Sequence, residues 1–129
     1  MIYNNEISQE IVGVLTMGET VFSKIIRREI PADIVYEDDL VLAFKDIAPQ
    51  APTHIVLIPK KAIANLSQAE SNDHALMGHL LLMVKKITEQ LNINNGYRVV
   101  INTGEDGGQT VDHLHLHILA GRHLDWPPG

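Results

Sequence analysis

The 129-residue chain contains no cysteine. That excludes a disulfide framework, a thiolate nucleophile and a cysteine-built zinc site, and it fits a reducing, cytoplasmic setting. No apolar run approaches the roughly 20 residues of a membrane-spanning helix, so no membrane association is expected. A basic face is missing as well: 10 Lys and Arg stand against 16 Asp and Glu, a formal net charge of −6. General nucleic-acid binders draw most of their affinity from phosphate neutralisation, so no nucleic-acid partner is expected. The pairs Arg27–Arg28, Lys60–Lys61 and Lys85–Lys86 read as solvated surface. A small anion stays within reach, because backbone N–H groups hold phosphate without a basic protein. The apolar patch Ile11–Leu15 lacks a basic flank and follows Glu6 and Glu10, so no secretory signal is expected there.

What is present suits one globular domain, with 45% apolar and 20% charged residues. Residues 1–17 show no clear period and are expected to form a weakly ordered extension, with Met17 an alternative start, ahead of a domain spanning 18–129. Val21, Phe22, Ile25 and Ile26 stand at helical spacing before Pro31. Ile34–Tyr36 and Leu40–Phe44 flank an acidic turn and read as a hairpin, and an apolar strand Thr53–Ile58 follows. Ser67 to Glu70 matches a capping box. A long helix is expected from about Asn72 to Leu91, its main stripe Leu76, Leu80, Val84, Ile87 and Leu91. Met77, Leu81, Leu82 and Met83 widen that stripe beyond one sheet face, which favours a subunit interface. Strands Tyr97–Thr103 and His113–Leu119 bracket a glycine-rich loop from Gly104 to Thr110. The order predicts an α+β domain with an antiparallel sheet.

His113, His115 and His117 alternate with Leu114, Leu116 and Ile118. On a strand the leucines enter the core and the three imidazoles share the other face. Two chemistries fit. One is a metal site, with His54 or Asp112 completing a two-histidine set, although the outer histidines lie about 13 Å apart along a strand. The other, which we favour, is attack on phosphorus by a neutral imidazole, with the loop's N–H groups converging on phosphate oxygens. His54 opens its strand after two prolines and reads equally as a site residue or a surface residue. His74 and His79 read as structural or solvent-facing, and His123 has no role.

The run from His113 to Leu119 resembles the signature of the histidine-triad superfamily. Phe22 to Pro31, Phe44 to His54, Ile58 to Lys61, Gly107 to Val111 and Trp126 to Gly129 resemble its Hint branch, so the similarity covers essentially residues 20–129. The resemblance implies a five-stranded antiparallel sheet with one long and one short helix, the sheets of two copies joined in a homodimer. It implies a purine nucleoside phosphoramidase acting on an AMP-like substrate without a cofactor or metal. His115 matches the family's nucleophile, which forms a nucleotidyl-histidine intermediate that water hydrolyses. His117 matches a position near the α-phosphate, and His113 and His54 match supporting positions. Gln109 and Thr110 match residues near the phosphate and leaving group, Gly108 stands beside them, and Asn102 resembles a further phosphate contact. Asp46 resembles the acid that holds the ribose hydroxyls. Phe22, Ile25, Phe44 and Ile47 resemble the walls around the base, although by pattern alone they are ordinary core. Trp126 lies in a tail that resembles a segment approaching the partner's site.

Two positions depart from the family's pattern. Thr110 stands where many relatives have serine; it keeps the hydroxyl but stiffens χ1. Asp112 stands where animal relatives are often aromatic and is expected to raise a nearby histidine pKa. The rival function is a nucleotide-binding interaction module with weak turnover.

Overall fold

A computed structural model describes residues 19–129, so the expected extension at 1–17 lies outside the described residues. Helix α1 spans Val21–Ile26. It starts at Thr20, whose hydroxyl accepts the Phe22 and Ser23 N–H groups while Ser23 answers the Thr20 N–H. This reciprocal cap stabilises a helix too short to persist by propensity. Strands β1 (Ile34–Glu37) and β2 (Val41–Lys45) form the expected hairpin. Its turn is organised by Asp38, which accepts from the Leu40 and Val41 N–H groups, Tyr36 OH and His79. Burial pushes the Asp38 pKa up, but these donors outweigh it and hold the group at about 2.

Strand β3 (Thr53–Pro59) leads into a short 3-10 turn, Leu66–Gln68, capped by Asn65. The capping box expected at Ser67 is replaced by one a little further on, where the Glu70 N–H donates to Asp73. A second 3-10 turn, Ser71–Asp73, feeds helix α2 (His74–Gln90). Strands β4 (Arg98–Val100) and β5 (Leu116–Ala120) complete one antiparallel sheet of order β1-β2-β3-β5-β4. The fold class expected from the sequence is the one observed.

Strand parity divides the core. Val41, Ala43, Ile55, Leu57, Leu116 and Ile118 face α2 and meet Leu80, Val84 and Ile87. Leu42, Phe44, Val56 and Ile58 face the other way and pack with Val21, Phe22 and Ile25 of α1. Leu81 and Leu82 point away from both layers, at 59% and 63% exposure.

Two strands are shorter than their patterns. β5 was expected from His113 and begins at Leu116. Its partner β3 ends at Pro59, which has no N–H to offer. The chain before Leu116 is held differently: the Leu114 N–H donates to Ile63 O, and the His113 carbonyl accepts from the His115 ring. β4 stops at Val100, three residues short of the expected Thr103, just before the chain turns into the glycine-rich loop.

Candidate active site

Strand parity puts His54 on β3 and His117 on β5 on the α1 face, one diagonal step apart across the ladder. Their rings meet at 2.8 Å between His54 Nε2 and His117 Nδ1. His115 and His113 precede β5 yet keep its alternation: Leu114 enters the α2 core, while the two imidazoles stand edge-on to Phe22, at 5.1 and 6.1 Å between centroids. His115 and His117 are 5.0 Å apart, so the four rings form one buried cluster.

Backbone partners fix the ring protons, because an amide can only donate and a carbonyl only accept. The Gln50 N–H donates to His54 Nδ1 at 3.0 Å, so the His54 proton sits on Nε2 and is donated to His117 Nδ1. Neutral His117 therefore carries its own proton on Nε2. The His115 Nδ1–H donates to the His113 carbonyl at 2.6 Å, which leaves Nε2 as its lone pair. The His113 Nε2–H donates to Pro59 O at 2.7 Å, and its buried Nδ1 has no partner among the described residues.

Burial keeps these rings neutral. It lowers the pKa of His54 and of His115, each against the opposing pull of the Asp46 carboxylate, and that of His113 against its bond to Pro59. His117 falls furthest, to about 4, through burial and then through His115 and His54 beside it. The sequence expectation that Asp112 raises a neighbouring pKa is thus corrected. Asp112 is exposed, and the acid acting on the cluster is buried Asp46.

A cavity of about 250 Å³ opens beside the cluster. Of the expected site residues it is lined by Asp46, His54, His117, Thr110, Asn102 and Gly108. His115 and His113 do not line it; they lie behind, at 2% and 1% exposure. Phe22, Ile25 and Phe44 are fully buried core on the α1 face, so Ile47, 56% exposed, is the expected base wall with open surface. Gln109 braces the loop instead of facing the cavity, donating to Ala64 O and Val111 O and accepting from the Gly104 N–H. Trp126 is 81% exposed in the tail.

The loop corrects another expectation. The Gly108 and Gln109 N–H groups bond to Glu105 O and Gly104 O, and the Gly104 N–H bonds to Gln109, so these three do not converge on a phosphate. Gly107 is there for close backbone approach, since a Cβ would collide with the Thr103 carbonyl and lie 2.9 Å from its nitrogen.

Ala48, Gln50, Val100 and Leu119 also line the cavity and escaped the sequence reading. Leu119 stands two residues from His117, and Val100 two from Asn102, so extending the strand parity finds both. Gln50 lies between two prolines that announce a fixed loop, but nothing in the sequence says where its amide points.

Asp46, His54 and His117 place ligand atoms within 4.8 Å of one another, a spacing a divalent ion could draw together. The hydrogen bonds favour another use. With the Gln50 N–H on Nδ1, His54 holds a proton on Nε2 that an ion would have to displace.

The HIT domain profile matches residues 27–124. An uncharacterized HIT-like protein of Synechococcus elongatus is 67% identical over 111 residues, covering 86% of this chain and 97% of the relative. A HIT family hydrolase from Legionella pneumophila superposes with a TM-score of 0.83 at 46% identity, over 86% of this chain and all of that one. A histidine triad nucleotide-binding protein from Candida albicans gives 0.69 at 34% identity, over 83% and 82% of the two chains.

Proposed function

The chain belongs to the HIT domain family, and on that premise we propose that it hydrolyses the P–N bond of purine nucleoside 5′-phosphoramidates, as in the Hint branch, through a nucleotidyl intermediate on His115. The observation that carries this reading is the His115 Nδ1–H bond to the His113 carbonyl, which leaves Nε2 as a neutral nucleophile. The hydrolase and nucleotide-binding descriptions of the two solved relatives support it.

In the first step His115 Nε2 attacks the α-phosphorus, the N–P bond to histidine forms, and the bond to the amine breaks. The departing nitrogen takes up a proton from solvent in the cavity, with the Thr110 hydroxyl in the wall its hydrogen-bond partner. The Nε2–H of His117 stabilises charge on the phosphoryl oxygens. Water then attacks the same phosphorus, the N–P bond to His115 breaks, AMP leaves and the proton lost by the attacking water returns to solvent, so one water is consumed per turnover. Asp46 receives the ribose. Its Oδ1 accepts the Ala48 N–H, while its buried Oδ2 has no hydrogen-bond donor among the described residues and would accept a ribose hydroxyl. The base lies toward Ile47.

A homodimer is part of this proposal. Among the described residues β4 is an edge strand, and α2 exposes Leu81 and Leu82, which together suit a second copy.

One observation favours a second reading, a nucleotide-binding module with weak turnover: His115 is 2% exposed behind His117. The two readings part in a steady-state assay with adenosine 5′-phosphoramidate. The enzyme reading expects turnover that His115→Ala abolishes while nucleotide binding persists. Unchanged activity in that variant removes His115 from the chemistry.

A further inference from the structure

Arg122 lies in the turn after β5, and the chemistry above makes no use of it. Its guanidinium donates from Nε and Nη2 to the Gln50 carbonyl, at 3.1 and 3.0 Å, and from Nη1 to the His123 carbonyl at 3.1 Å. The preceding residue, Gly121, has φ +97° and approaches Pro52 so closely that a Cβ would fall 2.7 Å from Pro52 Cβ. The turn that follows the His117 strand therefore grips the loop ahead of the His54 strand at two points.

Both backbone groups of Gln50 are engaged: its C=O by Arg122, its N–H by His54 Nδ1. We propose that Arg122 is a positioning residue for the triad. By holding Gln50 it keeps that N–H on His54, which makes His54 donate from Nε2 and makes His117 present an Nε2–H to the substrate. The loop's own bonds run from the Ala48 N–H to Asp46 Oδ1, from the Asp46 N–H to His54 O and from the Gln50 side-chain amide to Ala48 O at 3.0 Å, whereas Arg122 ties the Gln50 backbone to the turn after β5. A neutral imidazole takes whichever tautomer its neighbours select, so one amide suffices to choose. Arginine suits the task because its planar fork delivers two donors to one oxygen, where lysine delivers a single point charge.

The catalytic consequence rests on the phosphoramidase reading; the tautomer consequence does not. The test compares wild type, Arg122→Met and Arg122→Lys by the ring-nitrogen shifts of 15N-labelled histidine, above the histidine titration range. The same proteins are assayed with adenosine 5′-phosphoramidate. In wild type, His54 and His117 are both protonated on Nε2. Arg122→Met mixes the tautomers of both rings and lowers kcat about three- to tenfold, with KM changed less than about twofold. Arg122→Lys recovers part of each effect. Unchanged ring-nitrogen shifts in Arg122→Met overturn the proposal, as does a loss confined to KM or to thermal stability. If wild type shows no turnover, the proposed function falls, and the nitrogen shifts alone decide the role of Arg122.

Discussion

The cluster's chemistry depends on which nitrogen of each ring is already spoken for. His115 points its proton at a carbonyl and keeps its lone pair on Nε2 because a peptide oxygen can do nothing but accept. Asp46, like His113, has a buried polar atom without a hydrogen bond among the described residues, its carboxylate Oδ2, which lies 3.5 Å from His54 Nε2. If that oxygen receives the ribose, Asp46→Asn raises KM about tenfold, the value of one hydrogen bond to a charged acceptor, with kcat little changed. Steady-state kinetics against the 2′-deoxy substrate check the assignment: the variant should lose most of its discrimination between ribose and deoxyribose. Equal discrimination in both proteins would place the ribose elsewhere.

At the scale of elements, short apolar runs bounded by an acidic turn and by prolines made β1, β2 and β3 legible nearly to the residue, period 3.6 did much the same for α2, and period-two parity told in the histidine run. The same parity sorted Leu114, Leu116 and Ile118 from the three histidines, although β5 itself starts only at Leu116. What stayed illegible was set by partners remote in sequence. The His113 ring is anchored by Pro59, His54 by an amide across a loop, and the early end of β5 by the proline that closes its neighbour. The glycine-rich loop was recognised, but the Gly104, Gly108 and Gln109 N–H groups bond within the loop. Gly107 is the position where that fold leaves no room. Gly107→Ala is expected to destabilise the protein by about 1–3 kcal/mol through backbone displacement at Thr103, and to disturb Thr110 and lower kcat. Urea unfolding checks the first effect, and stability equal to wild type would show that the loop relaxes freely.

For the whole molecule, four buried neutral histidines tie stability to pH. The unfolded chain protonates these rings near pH 6.5, whereas the folded protein resists until lower pH, about 4 for His117. Between those values unfolding takes up protons, so stability is complete above pH 6.5 and declines as pH falls. His117 alone accounts for at most roughly 3 kcal/mol of that decline. Urea midpoints measured from pH 7.5 to 5 should fall steadily; a flat profile would mean that the cluster opens to water on protonation. The same buried neutrality predicts that turnover persists below the ordinary histidine pKa, since His115 stays a free base there. The assembly has its own test in sedimentation. Wild type is expected to run as a dimer and Leu81→Glu/Leu82→Glu as a monomer, and a monomeric wild type would leave those two leucines without a purpose.

The central claim is that His115 becomes covalently nucleotidylated. Mixing enzyme with a slight excess of adenosine 5′-phosphoramidate, quenching in base to protect a phosphohistidine-type bond, and mapping peptides by mass spectrometry tests it directly. The account predicts a transient AMP adduct on the His113–His117 peptide, localised to His115, that forms and decays at rates compatible with turnover. Product release without an adduct, or an adduct on another histidine, would contradict it.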